Sequence, residues 1–154
     1  MLVTLNNLAS TYADLGHVEK ALSIERDVYS GRLKLQGEEN ERTLRAANNY
    51  AESLLRLERF EEAKSVLRKT IPVARRVLGE GNELTITIKC HYSWSLYEDP
   101  GATLDDLREA VNTLEDTTRT ARRVLGGAHP VTGMNEHHLQ QALSMLAAVR
   151  RALA

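Results

Sequence analysis

One cysteine, Cys90, is the whole thiol content of the sequence. No intrachain disulfide can form, and the chain fits a reducing compartment. Aromatic residues make up only 5%, so Leu, Ala, Val and Ile must fill any core. Three prolines and nine glycines are too few for a disordered or low-complexity chain. Charge of one sign is also missing. Lys and Arg number 20 against 21 Asp and Glu, a net −1 that gives no global pull towards nucleic acid or a membrane surface. No apolar run approaches the roughly 20 residues that span a bilayer. The N-terminus lacks a basic region followed by an apolar one, so no secretory signal is expected. These absences point to the cytoplasm, with the nucleus as the alternative. What is present is 42% hydrophobic and 27% charged residue over 154 positions, which suits one domain burying roughly 70% of its unfolded surface.

The informative feature is self-similarity. Ala74-Arg75-Arg76-Val77-Leu78-Gly79 returns unchanged as Ala121-Arg122-Arg123-Val124-Leu125-Gly126, 47 positions later. At an offset of 42, Asn6-Asn7-Leu8-Ala9 falls on Asn48-Asn49-Tyr50-Ala51, and Gly37, Asn40, Glu41 and Thr43 fall on Gly79, Asn82, Glu83 and Thr85. The third unit therefore carries a five-residue insertion. A fixed period in this range marks a solenoid of stacked supersecondary units.

Within each unit the apolar spacing is helical. Leu2, Leu5, Leu8, Ala9 and Tyr12 form one stripe. Gly16-His17 breaks it, and Ala21, Leu22, Val28 and Leu35 continue a second. Gly37 stands where a left-handed C-terminal cap is wanted, and Asn40 can cap the next helix. The second unit repeats this plan, with a corner at Glu58-Arg59 and a helix that Pro72 should bend. In the third, Asp99-Pro100-Gly101 supplies the inserted corner, and Thr103 with Asp105 and Asp106 starts a helix. His129-Pro130 opens the last helix, proline being well placed in a first turn. Leu84-Thr85-Ile86-Thr87-Ile88 alternates like a strand, but its 42-offset partner is plainly helical, so a helix is predicted there too.

The motifs Thr4-Leu5-Asn6-Asn7-Leu8-Ala9 with Tyr12, Gly16 and Ala21, Asn48-Asn49-Tyr50-Ala51 with Ala63, and Leu125-Gly126-Gly127-Ala128-His129-Pro130 resemble the tetratricopeptide repeat, in the 42-residue version found in kinesin light chains. The third unit departs most, with Cys90-His91 in place of the Asn pair. The resemblance implies an all-α fold: a right-handed α-solenoid of about three helical hairpins plus a C-terminal capping helix. Its divisions would be residues 1–39, 40–81, 82–128 (with the insertion) and 129–154, in a single domain over 1–154. Ala9, Ala51 and Ser93, with Ala21, Ala63 and Ala110, should sit at helix crossings, and Tyr12, Leu54 and Leu96 between neighbouring units.

The resemblance further implies a protein-interaction module that binds an extended peptide in a concave groove lined by the first helix of each pair. By position the groove residues are Asn6, Asn7 and Ser10; Arg45, Asn48, Asn49, Glu52 and Arg56; and Thr87, Cys90, His91, Trp94 and Tyr97. Met134, His137, His138 and Gln141 follow from the last helix. An Asn side chain carries both donor and acceptor, so it can satisfy a peptide N–H and C=O together. Asn is also a poor interior helix former, which favours function for the doublets over a merely solvated face. For Arg45 and Arg56, solvated charge is the simpler account. Trp94 suits an apolar anchor or packing into the inserted corner equally well.

Other chemistries fare worse. Cys90, His91, His137 and His138 occupy matching positions, but adjacent helical residues point about 100° apart, so no metal or other cofactor is expected. The arginine pairs at 75–76, 122–123 and 150–151 lie near helix C-termini, where cations complement the dipole, and nucleic acid is not an expected partner. No phosphate-cradling loop, nucleophile elbow or His-Glu-x-x-His helix is present, and an enzyme is not expected. The competing reading is a structural spacer or truncated fragment of a larger repeat array, since the sequence enters its first helix with no cap. A monomer or a part of a larger assembly are both compatible with it.

Overall fold

A computed structural model describes all 154 residues as seven helices with no strand. They are α1 (Leu2–Asp14), α2 (Val18–Gln36), α3 (Glu41–Arg56), α4 (Phe60–Leu78), α5 (Glu83–Tyr97), α6 (Leu104–Val124) and α7 (Pro130–Leu153). The chain divides into two compact units, Met1–Val77 and Leu78–Ala154. In the first, α1 packs on α2 and α2 on α3. Residues of α2, α3 and α4 (Tyr29, Thr43, Leu44, Thr70 and Val73 among them) surround a cavity of ≈ 300 Å³. In the second unit α5 packs on α6, and α7 lies against both.

The helix starts repeat as the sequence does. Asn40 Oδ1 accepts from Arg42 N–H at 2.9 Å, and Asn82 Oδ1 from Leu84 N–H at 2.9 Å. Each satisfies an orphan donor of its first turn. The 47-offset equivalent of Asn82 is His129, and its Nδ1 accepts from Val131 N–H at 3.1 Å. An imidazole thus replaces the amide in the same job. α6 has the reciprocal arrangement: Asp106 N–H donates to Thr103 Oγ1 at 3.1 Å and Thr103 N–H to Asp106 Oδ2 at 2.8 Å. In the inserted corner Gly101 N–H donates to Asp99 Oδ1 at 2.9 Å, closing an Asx turn.

The helix ends follow the period too. Gly37, Gly79 and Gly126 have φ of 77°, 89° and 92°. Gly37 differs from the left-handed cap expected of it, because its ψ of 173° puts it in a region open only to glycine. At the hairpin corners Gly16 has φ 80°, while its 42-offset partner Glu58 takes φ 58° with a side chain attached.

Leu84 to Ile88 lie inside α5, so the repeat register outweighed the strand-like alternation. Eleven of the fifteen residues of α5 are buried, including Ile86 and Ile88. A helix enclosed on nearly all sides loses the one-sided stripe of a surface helix, which is why β-branched residues are at home here. Its two buried serines bond back to their own helix, Ser93 Oγ donating to Lys89 C=O at 3.0 Å and Ser95 Oγ to Tyr92 C=O at 2.5 Å. α4 runs on through Pro72 without interruption.

The small residues expected at helix crossings (Ala9, Ala21, Ala51, Ala63, Ser93 and Ala110) are all 0% exposed. Leu54 and Leu96 are buried as well. Tyr12 is not: it is half-exposed, edge-on to His17 at 6.1 Å, with Lys20 Nζ 5.4 Å above its ring. It packs on its own hairpin, where the His17 N–H also donates to Tyr12 C=O at 2.8 Å.

Candidate functional site

The polar face shared by α1 and α3 collects most of the residues that the sequence singles out in the first unit. Asn49 Nδ2 donates to Asn6 Oδ1 at 3.3 Å, so the two doublets meet side by side. Asn7 and Ser10 are exposed, and Ser10 Oγ donates back to Asn6 C=O at 3.2 Å. Arg45 pairs with Glu41 at 3.0 Å and Arg56 with Glu52 at 2.8 Å, both one turn apart on α3. Such exposed i,i+4 pairs add only about 0.3–0.5 kcal/mol to a helix. Asn48 departs from expectation: it is 5% exposed, turned into the protein rather than towards a groove.

A cavity of ≈ 130 Å³ opens on this face, lined by Ser10, Asp14, Asn49, Glu52, Ser53 and Arg56, and by Glu25 of α2. Glu25 escaped the sequence reading because a lone Glu on a helix reads as solvated surface. It is 6% exposed, and one carboxylate oxygen, Oε2, is buried with no hydrogen-bond partner. Burial raises its pKa to about 7, Ser53 opposes this with a hydrogen bond, Glu52 adds to it and Arg56 subtracts. The missed signal lay in the repeat register. At offsets of 42 and 47 the positions matching Glu25 are Leu67 and Leu114, both core residues.

The expected continuation of the face on α5 is largely closed. Cys90, His91 and Tyr97 are buried, and Thr87 Oγ1 donates to Glu83 C=O at 2.9 Å. The reason is the near-complete burial of α5, which its many Ser, Thr and His residues disguise in the sequence. Burial pushes the Cys90 thiol well above its ordinary pKa, leaving it un-ionised and unreactive. Trp94 is half-buried, its ring 5.1 Å from that of His138 and 6.1 Å from that of His91, with Nε1 buried and unpartnered. The inserted corner is not its neighbour in these ring contacts. Tyr97 Oη lies 2.7 Å from His138 Nδ1. Burial first, then His91 and His137, lowers the His138 pKa to about 4, so the imidazole is neutral and shares one hydrogen bond with the phenol, its direction set by the ring's tautomer. Of the other α7 candidates, His137 and Gln141 are exposed and Met134 is half-buried.

No group of three or more His, Cys, Asp or Glu is placed to hold a metal ion. Cations near the helix ends have carboxylate partners, Arg76 with Glu39 and Arg122 with Glu136. No helix is long and apolar enough to cross a membrane.

Comparison with known proteins matches this organisation. The family model for the tetratricopeptide repeat matches residues 1–40 and 43–83. Among solved structures, the nearly identical TPR-like repeats of a Podosopora anserina protein described as a kinesin light chain superpose with a TM-score of 0.81 at 20% identity, covering 98% of this chain and 69% of that one. A single-substitution form of those repeats gives a TM-score of 0.82 at 19% identity, with the same coverage of both chains. BtubC (BKLC) from P. vanneervenii gives 0.63 at 16% identity, covering 97% of this chain and 64% of that one. No curated protein matches the sequence. Repeats of this kind are generally protein-interaction modules on a helical scaffold. The repeat period, the fully buried small residues at the crossings and the family match together show that this chain belongs to the tetratricopeptide repeat family.

Proposed function

We propose that the protein is an interaction module whose first unit holds an extended peptide along the polar face of α1 and α3. The hydrogen bond between Asn49 and Asn6 carries this reading, because it sets amide groups of two neighbouring helices side by side on an open face. Amides so placed can bond a peptide N–H and C=O without reading its sequence. Asn7, Ser10, Asn49, Glu52 and Arg56 form the contact surface, and Arg45 borders it. Asn48 and His91, being buried, are left out of the contact set, and Trp94 supplies no part of the first unit's face.

The test is affinity capture with mass spectrometry, comparing the native chain with Asn6→Ala/Asn7→Ala. Asn6 is half-buried and Asn7 exposed, so circular dichroism should show an unchanged fold. Loss of the captured partners in the double variant is the expected result. An identical set of partners at identical yield would rule the face out.

A further inference from the structure

The first repeat buries a carboxylate where its two sister repeats bury leucine. Leu67 and Leu114 are both 0% exposed, so the hairpin needs nothing polar at this position. Glu25 is nearly as buried, yet its Oε2 has no partner, and the residue lines a cavity of ≈ 130 Å³ that opens on the α1–α3 face. Leaving a buried acceptor unmatched opposes folding. A group that the fold does not need, kept against stability and facing an open cavity, marks a place where something binds.

The surroundings state the charge of the occupant. Asp14 from α1 and Glu52 from α3 join Glu25 around the cavity, against a single guanidinium, Arg56, which is already paired with Glu52 at 2.8 Å. The field therefore favours a cation. Of the two Glu25 carboxylate oxygens, only Oε2 is buried without a partner. An arginine fork matches a carboxylate through two parallel bonds and so needs both oxygens, whereas an ammonium is a point charge that one oxygen satisfies. Asn49, with its Nδ2 committed to Asn6, keeps its Oδ1 as a further acceptor for an ammonium N–H.

We propose that this cavity is a lysine subsite: the side chain of a lysine in the bound peptide enters between α1, α2 and α3, and its ammonium pairs with the Glu25 carboxylate. The assignment rests on the peptide-binding reading above and adds the chemistry of the partner, a segment bearing lysine at the point where it crosses Asn49.

A proton competes with the lysine for the same carboxylate. Glu25 titrates near 7 with Asp14 facing it from α1 and Glu52 and Arg56 from α3. Affinity for an ammonium should therefore rise about tenfold between pH 6 and pH 8, the change in the ionised fraction of a group centred there.

The probe is Nα-acetyl-lysine methylamide, titrated into the full chain carrying ¹³C-labelled glutamate and read at the Glu25 carboxyl carbon by NMR. Arginine and norleucine analogues serve as comparisons. A saturable shift with the lysine probe is expected, with a Glu25 midpoint moved below its free value. A response at least severalfold weaker is expected with arginine, and none with norleucine. Glu25→Gln and Glu25→Leu should both lose the response in binding-induced shifts of the Ser10 and Asn49 amides; the leucine variant reproduces the sister repeats and so should stay folded. No shift with lysine, an equal response to arginine or norleucine, or amide shifts retained in both variants would overturn the assignment. The two proposals fail separately. Asn6 and Asn7 do not line the cavity, so partner capture lost in Asn6→Ala/Asn7→Ala but intact in Glu25→Gln would sink only the subsite. Capture indifferent to the Asn change, with the lysine response intact, would sink only the groove.

Discussion

At Glu25 the cost of a buried carboxylate is visible as a dependence of stability on pH. Its folded pKa of about 7 lies above the ordinary 4.5, so between those values the native state holds a proton that the unfolded chain releases. Stability should then fall as pH rises through that window and level off above it. Glu25→Gln should flatten the slope and add about 1–2 kcal/mol at pH 8, a figure set below the full conversion because the group borders an open cavity. Urea midpoints at pH 5 and pH 8, native against variant, measure it; a midpoint difference that does not change with pH would contradict the burial. Glu58 offers a second measurement. Its φ of 58° lies where Gly16 sits in the preceding repeat, and a side chain there costs about 1–2 kcal/mol. Glu58→Gly should therefore stabilise by about 0.5–1 kcal/mol, the gain being reduced by the greater freedom of glycine in the unfolded chain. The sequence already contained the comparison of Glu58 with Gly16. What it did not disclose was the conformation, since Asp, Asn and Glu also serve at corners that need no left-handed residue.

Among the elements, the junctions between units were readable because each announces itself twice, by a glycine and by a cap: Gly37 with Asn40, Gly79 with Asn82, and Gly126 with His129. Asn40, Asn82 and Thr103 do what their residue types suggest. His129 does the work of an asparagine, so His129→Asn should preserve thermal stability, whereas His129→Ala should cost about 1 kcal/mol. Gly37 calls for a different pair of variants. With ψ at 173°, asparagine gains nothing over alanine, and both should destabilise by about 1–3 kcal/mol in thermal melts. No neighbouring atom lies within 4 Å of where a Cβ would stand, so that loss would be backbone strain alone. The face of α5 was the part least open to inspection. Thr85, His91, Ser93 and Ser95 suggest a wet surface, yet all are buried. Hydroxyls that bond back to their own helix can enter a core at little cost, which makes small polar residues poor witnesses of exposure.

For the molecule as a whole, the second unit carries its own reporters. Cys90 and Trp94 are the only residues of their types, and both lie on α5. A thiol reagent should leave Cys90 untouched in native buffer and label it as α5 opens, with a urea midpoint matching that of Trp94 fluorescence. Rapid labelling of the native chain would contradict the burial of α5. For the first unit, Ala63→Glu places a charge at a fully buried crossing and should cost more than about 3 kcal/mol, seen as loss of helical signal.

Three tandem copies of one hairpin also bear on how such a protein can change. Leu67 and Leu114 are buried where the first copy buries Glu25, so one position of the same hairpin holds leucine in two copies and a carboxylate in the remaining one. Duplication in tandem thus supplies spare architecture, and specialisation can begin at a single internal site without founding a new fold.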